Sequence, residues 1–239
     1  MFENEKVVAY NSSEVIDEGL RNYMLKIYNY MAGGLAVTGL IAYWISQTPA
    51  VLKLFFTQTG YSALGWLALF APLILVFAFG WVASRETVRQ TQAMFWGFSA
   101  LMAVSLTPIF LIYTGASIAR VFLITAASFG GLSIYGYTTK KDLTAWGRFL
   151  VMGVIGLIIA SIVNIFMKST GLYYALSYLS VFIFAGLTAY DTQKLKSLYF
   201  AGAYNENFVE RIAISGALSL YLDFINMFMA LLRLMGDRR

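Results

Sequence analysis

The sequence predicts an all-α integral membrane protein with seven transmembrane helices, and three observations carry that prediction. Of its 239 residues, 59% are hydrophobic and only 12% are charged, about half the roughly 25% charge of a soluble domain. Six stretches, 27–52, 54–84, 90–119, 121–139, 149–167 and 169–190, contain no Lys, Arg, Asp or Glu. Each can supply a helix of about 20 residues across a hydrocarbon core of roughly 30 Å. Finally, the runs are continuously apolar, whereas a membrane β-barrel alternates apolar and polar residues in segments of about ten. Helices also satisfy their own backbone polar groups, which the bilayer interior demands.

Taken in order, the expected spans are 25–46, 62–83, 91–113, 117–138, 146–167, 172–195 and 211–234. The first ends at Gln47-Thr48-Pro49 and the second at Ser84-Arg85-Glu86. Tyr113-Thr114-Gly115 closes the third, Lys140-Lys141-Asp142 follows the fourth, and Lys168-Ser169-Thr170-Gly171 follows the fifth. Pro72 and Pro108 fall inside spans two and three, where neighbouring helices can satisfy a freed carbonyl. Residues 1–24 form a polar segment with five acids, Glu3, Glu5, Glu14, Asp17 and Glu18. With no basic n-region and cleavage site ahead of it, the first span is expected to serve as the insertion signal. Residues 25–239 read as one domain.

Charge sets the expected orientation. With the N-terminus inside, that side receives eleven Lys and Arg from the loops and the N-terminal segment, and the opposite loops receive Lys53, Arg120 and Lys168. Excess positive charge marks the cytoplasmic side, so residues 1–24 are expected there. The tail, with Arg233, Arg238 and Arg239, falls on the other side and runs against the trend. The net charge of +5 is scattered over loops rather than gathered on one face, so nucleic acid is not expected as a partner. The absence of Cys and His excludes disulfides, thiolate and imidazole catalysis and most zinc sites.

Two acids interrupt the last spans. Asp191 sits near the cytoplasmic end of span six. Asp223 lies 12 residues beyond Arg211, about 18 Å along a helix and therefore near mid-membrane. A carboxylate there costs several kcal/mol, about 2.5–3.5 on insertion scales, and is by default a candidate functional residue. Gly216, Ser219, Asp223, Asn226 and Ala230 recur at three- and four-residue spacing, a stripe expected to face the bundle interior, opposite a side of Leu, Phe and Met. Two neighbouring carboxylates repel when both are ionised and titrate as one unit, a natural basis for a pH-gated cation path. The acids are 32 residues apart in the chain, and a tight hairpin would not set them at equal depth. The connector 197–210 is therefore expected to absorb several turns, as a cytoplasmic helix begun at Asn205 or Asn207.

Ala189-Tyr-Asp-Thr-Gln193, Leu218-Ser-Leu-Tyr-Leu-Asp-Phe-Ile-Asn226 and Leu231-Leu-Arg-Leu-Met-Gly236 closely resemble the motifs of the transmembrane Bax inhibitor motif family, bacterial branch. The resemblance implies six helices surrounding a central C-terminal helix, in a bacterial inner (plasma) membrane. It also implies a pH-sensitive calcium leak latched by two aspartates that map onto Asp191 and Asp223, joined by an arginine of span two, for which Arg85 is the candidate. Calcium would be a permeating ion rather than a cofactor. Hard cations want six or more oxygens, so Asp191 and Asp223 could ligate one only in passing, aided by Ser219, Asn226 and Asn164. The expected partners are lipid, Ca²⁺ and protons. A second reading stays open, a non-transporting protein that modulates a membrane protease or stress response through a membrane-protein partner. Catalysis is not expected: Tyr190-Asp191 has the look of an intramembrane aspartyl protease, but Asp223 follows Tyr221-Leu222 where that pattern needs Gly-x-Gly.

Overall fold

The computed structural model of the chain describes residues 2–57, 60–85, 87–202 and 206–239, with side chains described throughout except at 2–17, 80–85 and 206. The elements are α1 (Phe2–Gln47), α2 (Pro49–Phe55), β1 (Phe56–Thr57), β2 (Gly60–Tyr61), α3 (Ala63–Arg85), α4 (Val88–Ile112), α5 (Gly115–Thr138), α6 (Thr144–Met167), α7 (Thr170–Gly202) and α8 (Glu206–Met235). The all-α membrane class follows directly. By length and composition, α4, α5, α6, α7 and α8 are each able to cross a membrane, and α1 with α2 qualifies as a pair bent by 105°. Within α3, Ala63–Phe79 is a shorter apolar helix.

Local chemistry starts and stops these helices where the sequence punctuates. Pro49 sits in the first turn of α2, where its missing N–H costs nothing. Thr87 opens α4 with a capping box: its hydroxyl accepts from the Gln90 N–H while Gln90 Oε1 accepts from the Thr87 N–H at 3.0 Å. Thr114 caps α5 in the same way through the Ser117 N–H. Lys168 turns α6 into α7 in the left-handed conformation, φ 51°. Pro72 and Pro108 lie inside α3 and α4 as expected. No backbone break marks the expected boundary at residue 24, because α1 runs through it.

Successive long helices alternate in direction and define two ends. The α3–α4, α5–α6 and α7–α8 connections form a basic end. The hairpin β1–β2 (Phe56↔Tyr61 in register), the α4–α5 and α6–α7 turns and the chain terminus form a tail end. Glu210 at the start of α8 accepts from Lys26 of α1 at 2.6 Å at the basic end. The terminus is tied to the α4–α5 turn: the Thr114 N–H donates to Asp237 O (3.0 Å) and the Arg239 N–H to Ile112 O (2.9 Å), while Arg120 pairs with Asp237 at 2.8 Å. The final helix thus runs from one end of the bundle to the other. Its terminal arginines do reach the far side from Lys26, with Arg238 over the Tyr113 ring and Arg233 over the Tyr173 ring, each at 5.9 Å.

α8 is the centre. Ala213, Ile214, Ala217, Leu220 and Tyr221 have no exposed surface, and α8 packs most heavily on α7, then on α1, α5 and α4, and lightly on α3. α6 departs from the expected ring of six, because it packs on α7 rather than on α8. Its outer face carries exposed Ile158, Ile165 and Phe166, apolar side chains suited to lipid.

Candidate functional site

Asp223 is held at the heart of this arrangement. It is 4% exposed, and its Oδ2 is buried with no hydrogen-bond partner. Arg211 and Met235 each lie 12 residues away in α8, about 18 Å in either direction. Removing a carboxyl oxygen from water without a compensating bond costs at least 1–3 kcal/mol. A sequence selected only for packing would place Ser or Asn there.

The α7–α8 register decides whether Asp191 can reach it. A Cβ built on Gly216 would overlap Leu195 Cδ2 and lie 3.0 Å from Leu195 Cδ1, so the two helices cross closely with those residues side by side. Counting back along antiparallel helices from that crossing, Asp191 and Asp223 differ in depth by about one helical turn. This corrects the expected mismatch in depth. Among the described residues the connector forms no separate helix: α7 continues to Gly202 and α8 begins at Glu206, and the expected start at Asn205 lies outside the described residues. Asp191 is half-buried and Asp223 fully buried, which makes Asp191 the member nearer water.

The residues flanking Asp191 hold α7 in place. Tyr190 lies against Gly147 of α6, and Ala189 O against Gly136 of α5, close enough that a side chain at Gly136 would strike backbone. Gln193 clamps the α5–α6 turn, accepting from the Leu143 N–H at 2.8 Å and donating to Lys141 O at 2.7 Å. Thr188 and Thr192 donate back to their own helix. Two other helices, α5 and α6, and the turn between them therefore fix the segment that carries Asp191.

Tyr221, two residues before Asp223, anchors α8. Its hydroxyl is 2.7 Å from Thr38 Oγ1 of α1, and Thr38 donates to Ser99 O of α4 at 2.8 Å. Thr38 has one proton and spends it on Ser99, so Tyr221 must be the donor to Thr38. Sequence reading missed this buried three-helix chain: Tyr221 stood in the motif, but nothing around Thr38 set it apart. Towards the tail end the pair is followed by an apolar plug. Phe224 packs edge-on to Phe122 (5.3 Å between centroids) and Phe129 (5.6 Å), with Phe228 a turn further on at 6.1 Å from Phe122.

Other expected site residues fare unevenly. Ser219 is exposed rather than turned inward, Asn226 is half-buried and donates to Leu222 O at 2.8 Å, and Gly216 and Ala230 are buried. The Leu, Phe and Met side of α8 is buried as deeply, because neighbouring helices rather than lipid cover it. Asn164 is not brought to the pair. It lies at the tail end, where its Oδ1 accepts from the Ser169 N–H at 3.0 Å. Arg85 is the last residue of α3 at the basic end, and its side chain lies outside the described residues. Among the described residues, no third Asp, Glu, His or Cys joins the pair to make a metal-holding group.

A family model described as "Inhibitor of apoptosis-promoting Bax1" matches residues 20–239. The chain is 45% identical over 229 residues to an uncharacterized protein of Rickettsia prowazekii, covering 96% of this chain and 95% of the relative. It is 42% identical over 222 residues to the inner membrane protein YbhL of Escherichia coli K12, covering 92% and 94%. An uncharacterized Deinococcus radiodurans protein matches end to end at 37% identity over 238 residues.

Proposed function

The chain belongs to the Bax inhibitor family of membrane proteins, and from that premise we propose that it is a passive, pH-sensitive cation leak, with calcium as the permeating ion and Asp191 and Asp223 as the gate. One observation carries this reading: a buried carboxyl oxygen of Asp223 without a partner, set beside a second, more accessible carboxylate at the depth where an ion must pass. Protons reach Asp223 through Asp191, which is half-buried and lies in the C-terminal part of α7, towards the basic end. When both are ionised they repel across the α7–α8 contact; when they share a proton that repulsion is relieved. The pair therefore couples pH to helix separation by charge alone, without covalent chemistry.

The plug of Phe122, Phe224 and Phe228 separates the pair from the tail end, so conduction requires α8 to move against α5. Two carboxylates suit a cation in transit better than a resident one, and the half-buried Asn226 adds an oxygen along the same helix. Arg85, carried by α3 to the end where Asp191 opens, is assigned to the latch on the family resemblance. The basic end faces the cytoplasm in this reading, supported by eleven Lys and Arg there against six at the tail end, and the membrane is the inner membrane, as for the Escherichia coli relative.

Purified protein reconstituted into liposomes loaded with a calcium-sensitive dye tests the proposal. External calcium should enter faster than into protein-free liposomes, with a rate that changes between pH 6 and pH 8. Influx no faster than the protein-free control at any pH, from protein that remains helical and monodisperse, would overturn the leak and favour an interaction role.

A further inference from the structure

One concavity of the described residues plays no part in the gate. It is a groove of about 970 Å³ between α1 and α5 that is closed at the basic end by the last turns of α7, near the upper end of the roughly 300–1,000 Å³ typical of small-molecule sites. Its lining is graded by depth. At the basic end stand two cations, the exposed Arg21 of α1 and the half-buried Lys196 of α7. Lys196 donates to Tyr137 O at 3.1 Å, which leaves two of its three N–H groups for another acceptor. One turn deeper than Tyr137, about 6 Å along α5, comes Ser133, which is 5% exposed and whose hydroxyl is buried with no hydrogen-bond partner. Below it the walls are apolar, with Met24 and Met31 of α1 facing Phe129 of α5.

Cation, then hydroxyl, then hydrocarbon is the complement of a phosphate, an ester and an acyl chain in that order. We propose that this groove is a binding site for one anionic glycerophospholipid of the surrounding membrane. Arg21 and Lys196 take the phosphate, the Ser133 hydroxyl donates to an ester carbonyl of the glycerol backbone, and one acyl chain runs between α1 and α5 over Met31 and Phe129. The unpaired Ser133 hydroxyl sets this apart from ordinary lipid contact. An apolar wall facing bulk lipid tails would gain nothing from a buried donor, whereas a fixed ester gives it a partner. The seated lipid would brace α1 against α5, the two helices that flank α8 on this side.

Native mass spectrometry of the detergent-solubilised full chain tests this, with phosphatidylglycerol and phosphatidylcholine of the same acyl composition added in competition. The wild type should retain one phosphatidylglycerol in preference to phosphatidylcholine. A double variant, Arg21→Gln with Lys196→Gln, should lose roughly tenfold or more of that preference, because both cations that attract the anionic headgroup are gone. Gly130→Phe supplies the steric arm: Gly130 lines the groove and a Cβ there meets nothing within 4 Å, so a side chain can start there without a backbone clash, and the ring should occupy the groove and displace both lipids. Ser133→Ala should weaken both lipids alike. Equal retention of the two lipids by the wild type overturns the proposal, as does phosphatidylglycerol retention unchanged by Gly130→Phe; circular dichroism of each variant establishes that it is folded.

Discussion

Replacing Gly216 by alanine adds one methyl group at the point where α7 and α8 cross, and the consequences can be worked from the contact. The new Cβ would overlap Leu195 Cδ2 and sit 3.0 Å from Cδ1 and 3.2 Å from Cγ. Leu195 is itself 5% exposed, so its side chain must repack in a crowded site or the helices must separate. Overpacking of this kind costs about 1–3 kcal/mol. Leu195→Ala alone leaves a cavity, at about 2–5 kcal/mol. Combined, the alanine methyl at 216 occupies part of the space that Leu195 vacated, so the double variant should be more stable than the two costs added together predict, with a coupling of about 1–3 kcal/mol. Thermal unfolding of the detergent-solubilised protein, followed by circular dichroism for the wild type and all three variants, measures that coupling. In the same set, Gly216→Ala alone should shift the pH profile of calcium influx, because it changes the spacing of Asp191 and Asp223 while leaving both acids in place. Strict additivity of the two stability effects would refute the register on which the aspartate pairing rests.

Two further outcomes follow from the same geometry. Tyr221→Phe removes one interhelical hydrogen bond and leaves Thr38 bonded to Ser99, which should cost about 0.6–1.7 kcal/mol. Thr38→Val strips partners from both Tyr221 and Ser99 O and should cost more, about 2–3 kcal/mol, as read by the midpoint of thermal unfolding. At the basic end, the Thr144 hydroxyl and then its N–H, which donates to Asp142 Oδ1 at 2.8 Å, hold that carboxyl below the ordinary aspartate range. A lowered folded pKa gives a stabilisation present above the unfolded value, about 3.9, and lost as pH falls through the folded one. Asp142→Ala should therefore lower the unfolding midpoint at pH 7, and the difference from wild type should shrink below about pH 3.9.

Much of the fold was legible because charge is so costly in hydrocarbon that the charge-free runs outline the helices. The ends were harder to read. Spans expected at 172–195 and 211–234 are helices Thr170–Gly202 and Glu206–Met235, because a helix can continue into water after its apolar run ends. The stripe on α8 was half right. Asp223 is buried, yet Ser219 is exposed and the Leu-Phe-Met side is interior, since lipid and a neighbouring helix are equally apolar and hydrophobicity alone does not distinguish them. Asn164 was chosen as an oxygen donor inside an apolar run, and its position at the last turn of α6 gave it a capping role instead. What joins Tyr221 to Thr38 and Gln193 to the 141–143 turn is tertiary, and single-helix periodicity carries no trace of it.

In the proposed function Asp191 and Asp223 act as one titrating gate. Calcium influx into liposomes across pH 6 to 8, for the wild type, Asp191→Asn and Asp223→Asn at matched protein density, tests this. A pH-dependent rate is expected for the wild type and a flattened profile for each variant, because either substitution removes the mutual repulsion. Variants that keep the wild-type pH profile unchanged would contradict it.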